Sequence, residues 1–142
     1  MAAAISDLYP LSMKITRVII QNWRSVKDAD FAPSDMTVLV GANNAGKTNI
    51  LSAINFLLGD RWPMPANLLD SDYYLNDRQR DIFIQLDFEE APYRTIDFDT
   101  SREKYTLRAY DRNGKQVYGF NNEERGRLAF AYVDAKIGRA HV

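Results

Sequence analysis

Gly41-Ala42-Asn43-Asn44-Ala45-Gly46-Lys47-Thr48 matches the pattern G-x-x-x-x-G-K-[ST] at every position. Each residue type has a physical task in holding a phosphate chain. Gly41 and Gly46 let the backbone take positive φ and approach phosphate oxygens closely. Successive N–H groups across Asn43, Asn44, Ala45 and Gly46 point inward and form an anion nest. Lys47 supplies a point charge to β- and γ-phosphates, and Thr48 offers a hydroxyl to Mg²⁺. Asn49 follows directly and belongs to the same candidate site. The ligand this chemistry fits is a nucleoside triphosphate, ATP, with Mg²⁺, and Thr48 is the candidate metal ligand.

Such a loop works only between a strand and a helix, and the flanks supply both. Met36-Thr37-Val38-Leu39-Val40 is a continuous apolar run, suited to a strand buried on both faces. After the loop, Ile50, Leu51, Ile54, Leu57 and Leu58 recur at helical spacing. The spacing predicts a helix from Lys47 to a C-cap at Gly59, with unpaired N–H groups and a positive dipole end facing the loop.

The remaining elements read as mostly β. A strand is expected over 14–23, a turn, and a short strand near 27–31. Pro33-Ser34-Asp35 has turn chemistry. Asp60–Tyr74, with Pro63 and Pro65, reads as a loop, and a short helical turn is expected within 72–77. Ile82, Ile84, Leu86 and Phe88 alternate strictly, as do Tyr105, Leu107 and Ala109, so both segments are expected to be half-buried strands. Asn113-Gly114 is a hairpin signal before a strand at 116–120. Asn121–Gly126 is polar and reads as a turn or helix start, and Leu128–Val133 as another strand. The fold class is α/β, a P-loop NTPase with an antiparallel β lobe. The parallel strands that would complete its sheet are not found, so the apolar faces of Val38, Val40, Ile50 and Ile54 are expected to be partly uncovered and the chain only marginally folded.

Composition narrows the function classes. The chain has 142 residues, about one modest domain. Lys+Arg number 18 and Asp+Glu 19, a net charge of -1, which argues against a protein that coats nucleic acid through overall charge. The absence of cysteine excludes disulfide scaffolds, thiolate metal sites and cysteine nucleophiles. No apolar run approaches the roughly 18–20 residues of a membrane span, and no secretory leader is recognisable, so a cytoplasmic location is expected.

Residues 1–12 lack a clear period and are either an over-extended reading frame ahead of Met13 or a loosely packed arm. Ile137-Gly138-Arg139-Ala140-His141-Val142 reads as an in-frame translation of a common sequencing adapter. On that reading residues 137–142 are foreign, His141 carries no functional information, and residues 13–136 are the N-terminal part of a longer ATPase head.

Lys14–Val26, with its Asn22-Trp23-Arg24-Ser25 ending, and Val38–Leu51, with the phosphate loop ending in Gly46-Lys47-Thr48-Asn49-Ile50-Leu51, together resemble the start of RecF-like and SMC-like ABC ATPases, and most of all the overcoming-lysogenisation-defect (OLD) family of ATP-dependent endonucleases. The resemblance covers Met13–Leu58 well and Ile82–Lys136 loosely. It implies a truncated ABC-type ATPase head whose two copies dimerise around ATP and act on DNA. It also implies that the glutamine loop, signature helix and acidic pair come later in the chain, so that this stretch binds nucleotide without turning it over. A related ATPase without nuclease activity, or a P-loop domain that uses nucleotide as a switch, are the alternatives.

By the same resemblance Arg24 reaches the nucleotide's phosphates; otherwise it is a surface arginine at a turn. Asn44 either faces the phosphates from the second subunit's side or only shapes the loop. Phe130-Ala131-Tyr132-Val133-Asp134 imitates a Mg²⁺-binding strand, yet Ala135 stands where the superfamily has a glutamate, so a structural strand is the better reading. Gln85 reads as a strand residue. Trp23, Trp62 and the tyrosines read as packing residues rather than base-stacking ones.

Overall fold

The computed structural model describes residues 13–35 and 44–129. Two opening strands, β1 (Lys14–Trp23) and β2 (Val26–Phe31), pair antiparallel through the Arg24-Ser25 turn. A short 3₁₀ turn at Pro33–Asp35 follows. Helix α1 spans Asn44–Leu58. Two 3₁₀ turns, Pro65–Asn67 and Asp70–Asp72, occupy the proline-bearing stretch read as a loop, and a third, Tyr74–Asn76, falls where a short helical turn is expected. Then come β3 (Phe83–Glu89), β4 (Tyr93–Asp99), β5 (Leu107–Asp111), β6 (Gln116–Val117) and helix α2 (Asn122–Arg127). The strands form one sheet in the order β2-β1-β3-β4-β5-β6, and every pairing is antiparallel.

The register explains the core. Ile20 pairs with Ile84, Ile84 with Phe98 and Phe98 with Leu107, while Val18, Leu86, Ile96 and Ala109 form the neighbouring row. All are buried and share one face, because side chains alternate along a strand. Ile50, Ala53, Ile54, Leu57 and Leu58 of α1 join the same hydrophobic cluster. Their i, i+3, i+4 spacing is the apolar stripe of a helix laid on a sheet. Phe56 stands edge-on to Phe98 with centroids 5.1 Å apart and tilted against Trp23 at 5.4 Å.

Several expectations need correction. Ile50 and Ile54 are only 4% and 1% exposed, because the antiparallel sheet itself covers them. Val38 and Val40 lie outside the described residues, as does the expected strand at 36–40. Strand β4 was not legible: Ile96, Asp97 and Phe98 are buried in succession, and a register shift between Tyr93 and Thr95 breaks the alternation. Tyr105 is not in β5; it sits at φ 53 and is 54% exposed. The strand after the Asn113-Gly114 hairpin ends at Val117 rather than Phe120. Leu128 caps α2 as a buried residue instead of opening a strand, and residues 130–133 lie outside the described part. The hairpin itself is present, with Gly114 at φ +83, where a side chain would be strained, and Asp111 Oδ1 accepting from the N–H groups of Asn113 and Lys115. Among the described residues no helix is long and apolar enough to cross a membrane.

The C-terminal end of α1 is closed by α2. Arg125, 2% exposed, donates from Nη1 to the carbonyls of Leu57 (2.9 Å) and Gly59 (2.6 Å), and its Nε and Nη2 bond Asn122 Oδ1. Its guanidinium lies 5.8 Å from the Trp62 ring centroid. Burial lowers its pKa, and Asp60 opposes that shift. Gly59 is required here by space: a Cβ would fall 2.5 Å from the Asn55 carbonyl oxygen.

Candidate functional site

Helix α1 begins at Asn44, three residues before the Lys47 at which the sequence pattern places its start. Asn44 and Ala45 are its first two residues, Gly46 and Lys47 complete the first turn, and Thr48 and Asn49 follow. Gly41 and Asn43 lie outside the described residues. Lys47 is half-buried and Thr48 is exposed. The first turn holds no acidic residue. A lysine at the positive end of a helix dipole, without a carboxylate to balance it, is an arrangement that an anion stabilises.

The Arg24-Ser25 turn is fastened beside this helix. Trp23 Nε1 donates to the Asn49 carbonyl at 3.1 Å and to Ser52 Oγ at 2.9 Å. Asn49 Nδ2 donates to Ser25 Oγ. Asn49 therefore acts in this structure as a brace between helix and turn. On the other side Arg24 N donates to the Asp72 carbonyl at 2.8 Å, and Arg24 Nε to Asp72 Oδ1 at 3.1 Å. The Arg24 guanidinium carbon stands 5.3 Å from the Trp23 ring centroid. Tyr73 adds a single antiparallel bridge to Trp23.

Arg24, Ser25 and Asn49 form one wall of a cleft of about 470 Å³, and Ser71, Tyr73, Leu75 and Asn76 form the other. The backbone around it is strained: Arg24, Leu75 and Asn76 have φ of 49, 58 and 56, and Asn22 next to the cleft has φ 60. Asparagine visits this region readily, but arginine and leucine do so at a cost that the surrounding contacts must offset. A second cleft of about 360 Å³, lined by Asn55, Phe56, Asp60, Arg61, Trp62 and Asn67, lies toward the other end of α1.

The structure thus brings Arg24 and Asn49 to one cleft on the helix that carries Lys47 and Thr48. The sequence pattern did not show Asp72, which lies 48 residues from Arg24, nor the Trp23 anchor. The residues fit a phosphate ligand: the helix end is free of acidic side chains, and the Arg24 Nη groups make no hydrogen bond among the described residues. Among those residues no cluster of three or more His, Cys, Asp or Glu could hold a metal ion. Gln85 is a strand residue whose amide donates to Asp87 Oδ1 at 3.1 Å. Phe130–Asp134 lies outside the described residues. Trp23 is a packing residue, and so is Trp62 beside Phe120, but Tyr105 and Tyr118 stack edge to face on the surface.

A family model described as the AAA ATPase domain matches residues 13–133. The chain belongs to that family, a class of P-loop NTPases. The proteins it is similar to include OLD nucleases and RecF. It is 34% identical over 98 residues to the OLD nuclease of Thermus scotoductus, covering 68% of this chain and 18% of the relative. It is 32% identical over 90 residues to the endonuclease GajA of Bacillus cereus, covering 63% and 15%. It is 46% identical over 43 residues to the DNA replication and repair protein RecF of an Enterobacter species, covering 30% and 12%. The chain therefore spans less than a fifth of the length of these relatives.

Proposed function

We propose that Gly41–Thr48 cradle the triphosphate of ATP at the start of α1, as part of a truncated ABC-type head in a DNA-acting, OLD-type ATPase of the cytoplasm. Gly41, Asn43, Asn44, Ala45 and Gly46 supply backbone N–H groups, and Lys47 supplies the charge. Thr48 supplies a hydroxyl to Mg²⁺, which when bound neutralises phosphate charge. Arg24 reaches the phosphates from the cleft. The observation that carries this reading is a complete G-x-x-x-x-G-K-T sequence opening a helix whose first turn holds lysine and no acid, in a chain of the AAA ATPase family. Calorimetric titration of Mg-ATP into the native chain and Lys47→Ala tests it. Loss of binding in the variant supports the site, and equal affinity overturns it.

A phosphate cradle alone does not position an attacking water or balance transition-state charge. In the proposed mechanism those tasks fall to an acidic residue and a second head, so these 142 residues bind ATP without turnover while the whole protein hydrolyses it as a homodimer of heads, with DNA as stimulant. ATP turnover by the chain that disappears in Lys47→Ala would contradict this. The nuclease names of two relatives favour an ATP-dependent endonuclease. The RecF relative favours a second reading, a DNA-repair ATPase without nuclease activity. DNA cleavage by the whole protein separates the two.

A further inference from the structure

The geometry points to Asp72 as the positioning residue that presets Arg24 for an anionic ligand; the inference rests on the reading of Arg24 as a phosphate contact. Asp72 is 7% exposed, and each of its three oxygens accepts a hydrogen bond. Its Oδ2 takes the Leu69 N–H at 2.9 Å, which fixes the carboxylate in its 3₁₀ turn. Its Oδ1 takes Arg24 Nε and its carbonyl takes Arg24 N. Trp23 holds the guanidinium from its face. Arg24 is thus bound along its Nε edge and its face, while the two Nη groups have no partner among the described residues. A guanidinium anchored this way offers its remaining N–H groups in a fixed direction, the fork that suits phosphate. The left-handed backbone at Arg24 is consistent with a side chain aimed by its surroundings, since nothing in local preference selects that conformation for arginine.

Two accounts of Asp72 give opposite signs. If Asp72 only offsets the charge of Arg24, removing its charge raises the affinity of the cleft for an anion. If it positions Arg24, the same change lowers it. The test is Mg-ATP and AMP binding to the 142-residue chain by calorimetry, for the native protein, Asp72→Asn, Arg24→Ala, Arg24→Lys and the Asp72→Asn/Arg24→Ala pair. Positioning requires Asp72→Asn to weaken ATP about five- to tenfold, to weaken AMP less, and to have no further effect once Arg24 is alanine. Arg24→Lys, which keeps the charge and lacks the fork, is expected to lose as much as Arg24→Ala, and this holds the test open if Asp72→Asn does not fold. Unchanged or tighter ATP binding by Asp72→Asn, or a loss that persists without Arg24, overturns the inference. Unchanged binding by Arg24→Ala beside weakened binding by Lys47→Ala overturns instead the assignment of Arg24 to the nucleotide.

Discussion

The two ends of α1 are built from the same helix and treated in opposite ways. At the C-terminal end, a helix with no basic residue in its last turn receives one from α2: Arg125 caps the carbonyls of Leu57 and Gly59, is held by Asn122 and lies over Trp62. At the N-terminal end, a helix with no acid in its first turn carries Lys47 instead, beside an arginine whose Nη groups have no partner among the described residues and a cleft edged by left-handed residues. Helix ends left polar and unbalanced cost stability. The C-terminal end therefore reads as a place where the fold is secured, and on the proposed function the N-terminal end is a place where stability is withheld for a ligand.

Breaking the C-terminal end should have the largest effect. Arg125→Met leaves two carbonyls and the Asn122 side chain without their donor, and is expected to cost roughly 2–4 kcal/mol. Chemical denaturation measures it, and a midpoint equal to that of the native chain would show that the cap is dispensable. Lys47→Ala should do the reverse: ATP affinity falls more than tenfold, since a charge-assisted contact to phosphate is worth about 1.5–3 kcal/mol. The denaturation midpoint without ligand should hold or rise, because a positive charge has left the positive end of a dipole.

Thr48→Ala should act more narrowly. Affinity for ATP in the presence of Mg²⁺ should drop several-fold, by the loss of one metal–hydroxyl contact, with little change when EDTA is present. Equal loss in both conditions would remove Thr48 from the metal. The smallest effect concerns α2, whose Glu124 accepts a 2.8 Å hydrogen bond from the Tyr93 hydroxyl. Burial, and then the Glu124 bond, push the Tyr93 pKa up to about 12. The folded pKa is above the ordinary one of 10.0, so this stabilisation is complete below about pH 10 and is lost as pH rises toward 12. Tyr93→Phe should flatten that part of the stability profile; an unaltered alkaline profile would show that Tyr93 does not titrate with folding.

What the sequence showed follows the same division. Helix α1 and strand β3 were legible because each carries a regular apolar period, and β1 and β2 because an apolar run leads into a turn signal. Strand β4 was hidden by its register shift and by Asp97, a carboxylate buried between Ile96 and Phe98 and bonded to Arg102 Nη1 at 2.6 Å. Arg125 was hidden because a buried arginine in a polar run looks like a solvated one. In the proposed site, Lys47 and Thr48 are assigned by spacing along the chain. Asp72 was not, since its relation to Arg24 exists only once the 3₁₀ turns fold back on the β1–β2 turn. Motifs are local, whereas the residues that aim a functional side chain are chosen by tertiary contact.

The most direct test of the contrast between the two ends is amide chemical-shift mapping of the chain during titration with Mg-ATP. The account predicts shifts concentrated at Gly46–Asn49, Arg24, Ser25 and the cleft residues Ser71, Tyr73 and Asn76, with Gly59, Trp62 and Arg125 unmoved. Shifts concentrated around the cleft of Asn55, Asp60 and Trp62, or none at millimolar ATP, would contradict it.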